Sequence, residues 1–85
     1  MNKVNEEKLN QFMAVYEPAI REAATNFPNE YFFPASHAPI VAGKMKNALI
    51  NNTFNHDGRA IKITCKKLGI KHTVKAINEY LRATN

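Results

Sequence analysis

From Leu9 onward the apolar positions fall three and four residues apart: Leu9, Phe12, Met13, Tyr16, Ile20, Ala23, Ala24 and Phe27. That spacing lays one continuous stripe along a helix and predicts helix over about residues 5–26. Asn5 can accept a hydrogen bond from an unsatisfied N–H of the first turn, and Glu6 and Glu7 suit the positive end of the helix dipole. Pro18 removes the N–H that would bond the Ala14 carbonyl, and its ring crowds that carbonyl. The expectation is a kink or a break near 14–18. Because the apolar register continues through the proline, a kink is favoured.

The pattern then changes. Between Phe27 and Pro39 lie three prolines and the cluster Tyr31, Phe32, Phe33, which reads as an irregular aromatic loop plugging a small core, or else as an exposed secondary interface. Ser36 or Ala38 is expected to cap a second helix with Pro39 in its first turn and Val41, Met45, Ala48 and Leu49 as its inner stripe. This helix ends near Asn51. The segment NNTFNHDG is dense in turn formers, with Phe54 turned inward. Asp57 is expected to cap a third helix whose inner face carries Ala60, Ile61, Thr64, Cys65 and Leu68, terminated by Gly69 in a left-handed conformation. Thr73 caps a fourth, with Val74, Ile77 and Leu81 inward and Tyr80 beside them.

These elements predict an all-α fold: a four-helix small bundle with an irregular aromatic and proline-rich loop and a C-terminal helical hairpin across LGIKHT. The predicted core includes Phe12, Tyr16, Ile20, Val41, Leu49, Ile61, Leu68, Ile77 and Leu81. At 85 residues, with neither repeats nor a long linker, residues 1–85 form a single domain with little stability in reserve.

Charge divides the chain. Up to residue 43 there are three basic residues against five acidic ones, and from residue 44 onward nine against two. Net charge of +5 overall serves solubility in any small protein, but its concentration in the second half points to a polyanionic or acidic partner. On the third helix Arg59, Lys62 and Lys66 lie opposite the apolar stripe, with Lys67 at its edge. On the fourth, Lys71, Lys75, Asn78 and Arg82 form a similar row, with His72 in the turn. Lys and Arg in such rows suit phosphate contacts, and Asn78 and Arg82 have the donors to reach base edges.

The order helix, Gly-Ile, short turn, Thr-capped helix resembles the helix-turn-helix of DNA-binding repressors over about 20 residues. It departs from that pattern in register. The inward positions of the second helix are Val74 and Ile77, where the repressor spacing would place Lys75 and Asn78. The turn is therefore either one residue shorter than in repressors or an ordinary helical corner.

Taken whole, and in the run CKKLGIKHTVKAI above all, the chain resembles small phage- or prophage-encoded proteins, an uncharacterised group without one settled activity. That resemblance implies two classes of function. One is a DNA-binding accessory or regulatory protein. The other is a small inhibitor that docks on a host protein complex, as anti-CRISPR proteins do, here against an acidic surface because the chain is basic. A structural homo-oligomer using the aromatic cluster is a third reading, and the oligomeric state stays open.

Other classes find little support in the sequence. His37, His56 and His72 lack metal-type spacing to Cys65, so neither a metal site nor a cofactor is expected. Cys65 falls on an inner helix face, where a small hydrophobe is the default. The sequence has no Gly-rich phosphate loop or nucleophile elbow, and no catalytic residue is assigned. A single cysteine argues for a reducing compartment. With no leader-like segment at Met1–Asn10 and no long apolar run, the expected location is the cytoplasm, with no membrane partner.

Overall fold

The computed structural model describes residues 3–82. α1 (Glu6–Asn26) is followed by two single 3-10 turns, Pro28–Glu30 and Ala35–His37, then α2 (Ala38–Asn51), α3 (Arg59–Leu68) and α4 (Val74–Leu81). The fold is all-α, a four-helix small bundle with no strand among the described residues.

α1 is the spine. Its stripe Leu9, Phe12, Tyr16, Ala19, Ile20, Ala23 and Ala24 is buried, and α2 and α3 pack along it. The Asn5 side chain accepts from the Lys8 N–H at 3.0 Å, closing the N-terminus as expected. The helix passes through Pro18 without a break. Phe27, the last apolar residue of the spacing, falls past the helix end and is partly exposed.

Both neighbouring helices run against α1. Arg59, which opens α3, meets Glu30 and Phe27 at the far end of α1. The end of α2 returns to the start of α1, where Ile50 faces the same cleft as Val4 and Leu9. Residues 52–58 cross between these two ends and bury Phe54. α4 then closes the bundle beneath the start of α1, where the Asn5 N–H donates to the Leu81 carbonyl at 2.7 Å. α1 is the helix on which both α3 and α4 lean, and they approach it more than they approach each other. The corner Gly69–Thr73 therefore joins two helices whose relative angle is held mainly through a third.

Local signals decide the helix ends. Gly69 adopts φ 74°, ψ 27°, and the Ile70 N–H donates to the Cys65 carbonyl at 2.9 Å; this is the left-handed C-terminal motif that glycine permits without a Cβ penalty. α2 ends in the same way with Asn52 at φ 57°, asparagine being the other residue that tolerates this region. Thr73 caps α4 by accepting from the Ala76 N–H at 3.1 Å.

Other caps and inner positions depart from expectation. α3 is capped by Gly58, with no side-chain bond, because the extended backbone that precedes the helix falls there; Asp57 lies one residue too early, and its N–H donates to the Asn55 side-chain oxygen at 2.9 Å. Neither Ser36 nor Ala38 caps α2. The 3-10 turn runs straight into the helix, so His37 occupies the cap position without a side-chain bond, and Pro39 removes one of the unsatisfied donors. Val41 and Leu68 are half-buried rather than core. Val74 is exposed, because α4 touches α1 at its other end, through Tyr80 and Leu81.

Candidate functional site

The basic residues of the second half divide into two groups. Three residues of the proposed rows are already occupied within the fold. Arg59 makes a two-pronged ion pair with Glu30, Nε to Oε2 and Nη2 to Oε1, both at 2.9 Å. Its guanidinium also lies 3.8 Å from the centre of the Phe27 ring. A delocalised cation over a ring face whose forked donors also grip a carboxylate is an arrangement lysine cannot reproduce. Hydrogen bonding from Arg59 holds the Glu30 carboxyl below its ordinary range.

Arg82 and Asn78 serve the end of α2. Arg82 Nη2 donates to the carbonyls of Leu49 at 3.1 Å and Ile50 at 3.2 Å, and Nη1 to Asn78 Oδ1 at 2.6 Å. Asn78 Nδ2 donates in turn to Asn52 Oδ1 at 2.8 Å. A cation is thereby set on the last carbonyls of a helix, where orphan acceptors and the negative end of the dipole favour it. Both side chains are half-buried. Arg82 is therefore not solvent-facing, and neither residue projects from α4 as a base-reading side chain of a helix-turn-helix would.

Lys44 and Lys46, on α2 and outside the proposed rows, are exposed, and the remaining basic residues of the rows stay outward as well. Lys62, Lys66, Lys67, Lys71, His72 and Lys75 are exposed. Among the described residues, no carboxylate lies within 4.0 Å of any of these five lysines. They run from the middle of α3, around the Gly69 corner, to the first turn of α4. The Gly69 backbone and the Thr73 cap fix that path, so the row is displayed by an ordered turn rather than by a free tail.

The aromatic loop is divided as well. Tyr31 and Phe33 are half-buried and meet edge to face, with ring centres 5.6 Å apart, packed against the core. Phe32 between them is fully exposed, at 103%. Tyr31 shares a cleft of about 340 Å3 with Asp57, Gly58, Arg59 and Lys62. The loop tip is thus placed beside the α3 end of the lysine row. At the opposite end of the molecule a larger cleft, about 610 Å3, is lined by the apolar Val4, Leu9 and Ile50, by Lys3, Lys46 and Arg82, and by Glu6 and Asn10.

Cys65 is buried, and burial pushes its thiol above the ordinary value, which leaves it in the poorly nucleophilic protonated form. Among the described residues no three His, Cys, Asp or Glu side chains gather around a common point, and no helix is long and apolar enough to cross a membrane.

Sequence reasoning finds the outward lysines because helical spacing places them opposite the apolar stripe. It misses the bonds of Arg82 and Asn78 to the end of α2 and the Arg59–Glu30 clasp, whose partners lie 26 to 33 residues apart. The one local hint is Asn51-Asn52, which marks a helix end whose carbonyls need donors.

The chain matches no protein-family model, no curated protein and no solved structure.

Proposed function

We propose that this protein binds nucleic acid, as an accessory or regulatory protein, through the lysine row Lys62, Lys66, Lys67, Lys71 and Lys75, with His72 beside it. The observation that carries this reading is the row itself: exposed ammonium groups without carboxylate partners, on an ordered corner of a chain whose second half is strongly basic. Lysines presented to water in this way neutralise phosphates and release condensed counterions, which is the main source of affinity in sequence-independent binding. With Asn78 and Arg82 held by α2, contact is to the backbone rather than to base edges in a major groove.

The test is charge reversal. Lys66→Glu with Lys71→Glu abolishes binding of labelled DNA in a fluorescence anisotropy titration at low salt, while the domain still unfolds cooperatively with a midpoint lowered by no more than about 8 °C, the Lys66 change removing a cation from the last turn of α3. Equal affinity of the double variant and wild type would reject the reading.

A second reading has one observation in its favour. The 610 Å3 cleft, lined by Val4, Leu9 and Ile50 and carrying Lys3 and Lys46 against the one carboxylate of Glu6, suits an apolar side chain from an acidic protein surface, as an inhibitor of a host complex would require. Lys46→Glu separates the two: it weakens a protein complex seated there and leaves DNA affinity within about twofold, since Lys46 lies outside the row.

A further inference from the structure

We infer that the nucleic acid bound by the lysine row is single-stranded, and that Phe32 is the platform on which one of its bases stacks. This inference rests on the proposed nucleic-acid reading and names its substrate class. It begins from a contrast within three consecutive residues: Tyr31 and Phe33 turn into the fold and lock together at 5.6 Å, while the Phe32 ring between them is fully exposed.

The backbone that carries this ring is held on both sides. Before it, Glu30 is gripped by Arg59 through two 2.9 Å bonds, and Arg59 is itself stacked on Phe27. After it, Pro34 leads into the 3-10 turn Ala35–His37, where the His37 N–H donates to the Pro34 carbonyl at 2.9 Å. The ring is therefore displayed in advance, so that little loop ordering remains to be done on binding.

Position relates the ring to the lysines. Tyr31 and Lys62 line one cleft together with Asp57 and with Glu30, whose carboxylate is neutralised by Arg59, and the Phe32 Cα is about 3.8 Å along the chain from that of Tyr31. A strand whose phosphates follow Lys75, Lys71, Lys66 and Lys62 leaves the row beside the loop that carries Phe32. In a duplex the base faces are hidden within the stack. In a single strand they are free to lie on an aromatic ring beside a cationic track, which is the recurring design of sequence-tolerant single-strand binding.

The chain contains no tryptophan, so Phe32→Trp places a lone fluorescent reporter at the platform. Wild type, Phe32→Ala and Phe32→Trp are titrated with an oligothymidylate, with an abasic oligomer of the same length and with a duplex. The expected result is tighter binding of the oligothymidylate than of the abasic oligomer. Phe32→Ala weakens oligothymidylate binding roughly 5- to 150-fold with an unchanged salt slope, and leaves the abasic oligomer and duplex unaffected. The Phe32→Trp emission is quenched by the oligothymidylate alone. An unchanged thermal midpoint for Phe32→Ala shows that the fold is intact.

Salt-sensitive binding that Phe32→Ala does not alter would overturn the platform while leaving the lysine row standing, and would turn attention to the ring as a protein contact. An equal loss on all three ligands would overturn it too, because base stacking cannot act on an abasic chain. Absence of binding by wild type to any of the three would remove both this inference and the reading on which it rests.

Discussion

Tyr16 sits almost fully inside the bundle, stacked near Phe12 at 6.3 Å, and burial, with Tyr31 nearby, pushes its phenol from an ordinary 10 up to about 12. A group whose pKa is raised by folding keeps its proton longer in the native state. Its contribution to stability is complete below pH 10 and is lost as pH rises from 10 towards 12, an effect of roughly 3 kcal/mol. Urea denaturation at pH 9 and pH 11 should show a larger loss for wild type than for Tyr16→Phe; equal losses would mean that the phenol is not desolvated. At this scale the sequence is legible wherever one residue's backbone or side chain decides the outcome. Gly69 and Thr73 behave as their chemistry requires. Asp57 does not cap α3, because a cap is set by which residue carries the extended backbone, and Gly58 carries it. Composition places the signal in the right turn but not at the right residue.

At the scale of elements, helical spacing identifies inner faces but not how deeply each is covered. α3 buries Ala60, Ile61, Thr64 and Cys65, with the Thr64 hydroxyl returned to the Ala60 carbonyl at 2.8 Å. Leu68, on the same face, lies where the helix runs out towards Gly69 and is only half-covered. Ile61→Ala should therefore cost about 2–5 kcal/mol, and Leu68→Ala about 1–2 kcal/mol. Comparable losses in chemical denaturation would show that the end of α3 is packed more tightly than its exposure indicates. The junction of α2 with α4 offers a sharper case. Periodicity puts Arg82 on an outer row, yet its guanidinium closes the end of α2, a partnership that depends on where the chain returns after the crossover at 52–58. Arg82→Ala should destabilise by about 1–2 kcal/mol through the loss of charge-assisted bonds to helix-end carbonyls. Lys75→Ala on the same helix should change stability by less than about 0.5 kcal/mol. Equal effects of the two substitutions in thermal melts would contradict this assignment.

The whole molecule measures 39 × 21 × 19 Å, and its chemistry is unevenly distributed over that length. Around the α1 spine, folding takes Arg59, Asn78 and Arg82 out of the rows that the sequence suggests and leaves the five lysines of those rows on display, with Phe32 fully exposed at the loop tip. Fold class was legible because four amphipathic segments separated by turn formers allow few arrangements in so short a chain. The site was legible only in part: spacing says which face is basic, but not which cations the fold consumes for its own ends. The central claim is that the displayed lysines act together on phosphates. Its most direct test is the slope of log binding constant against log salt for wild type, from low to physiological ionic strength. Four to five contacts predict a slope of roughly −3 on single-stranded DNA, and charge reversal at Lys66 or Lys71 should make it shallower. A slope near zero, or one that either reversal leaves unchanged, would contradict the account.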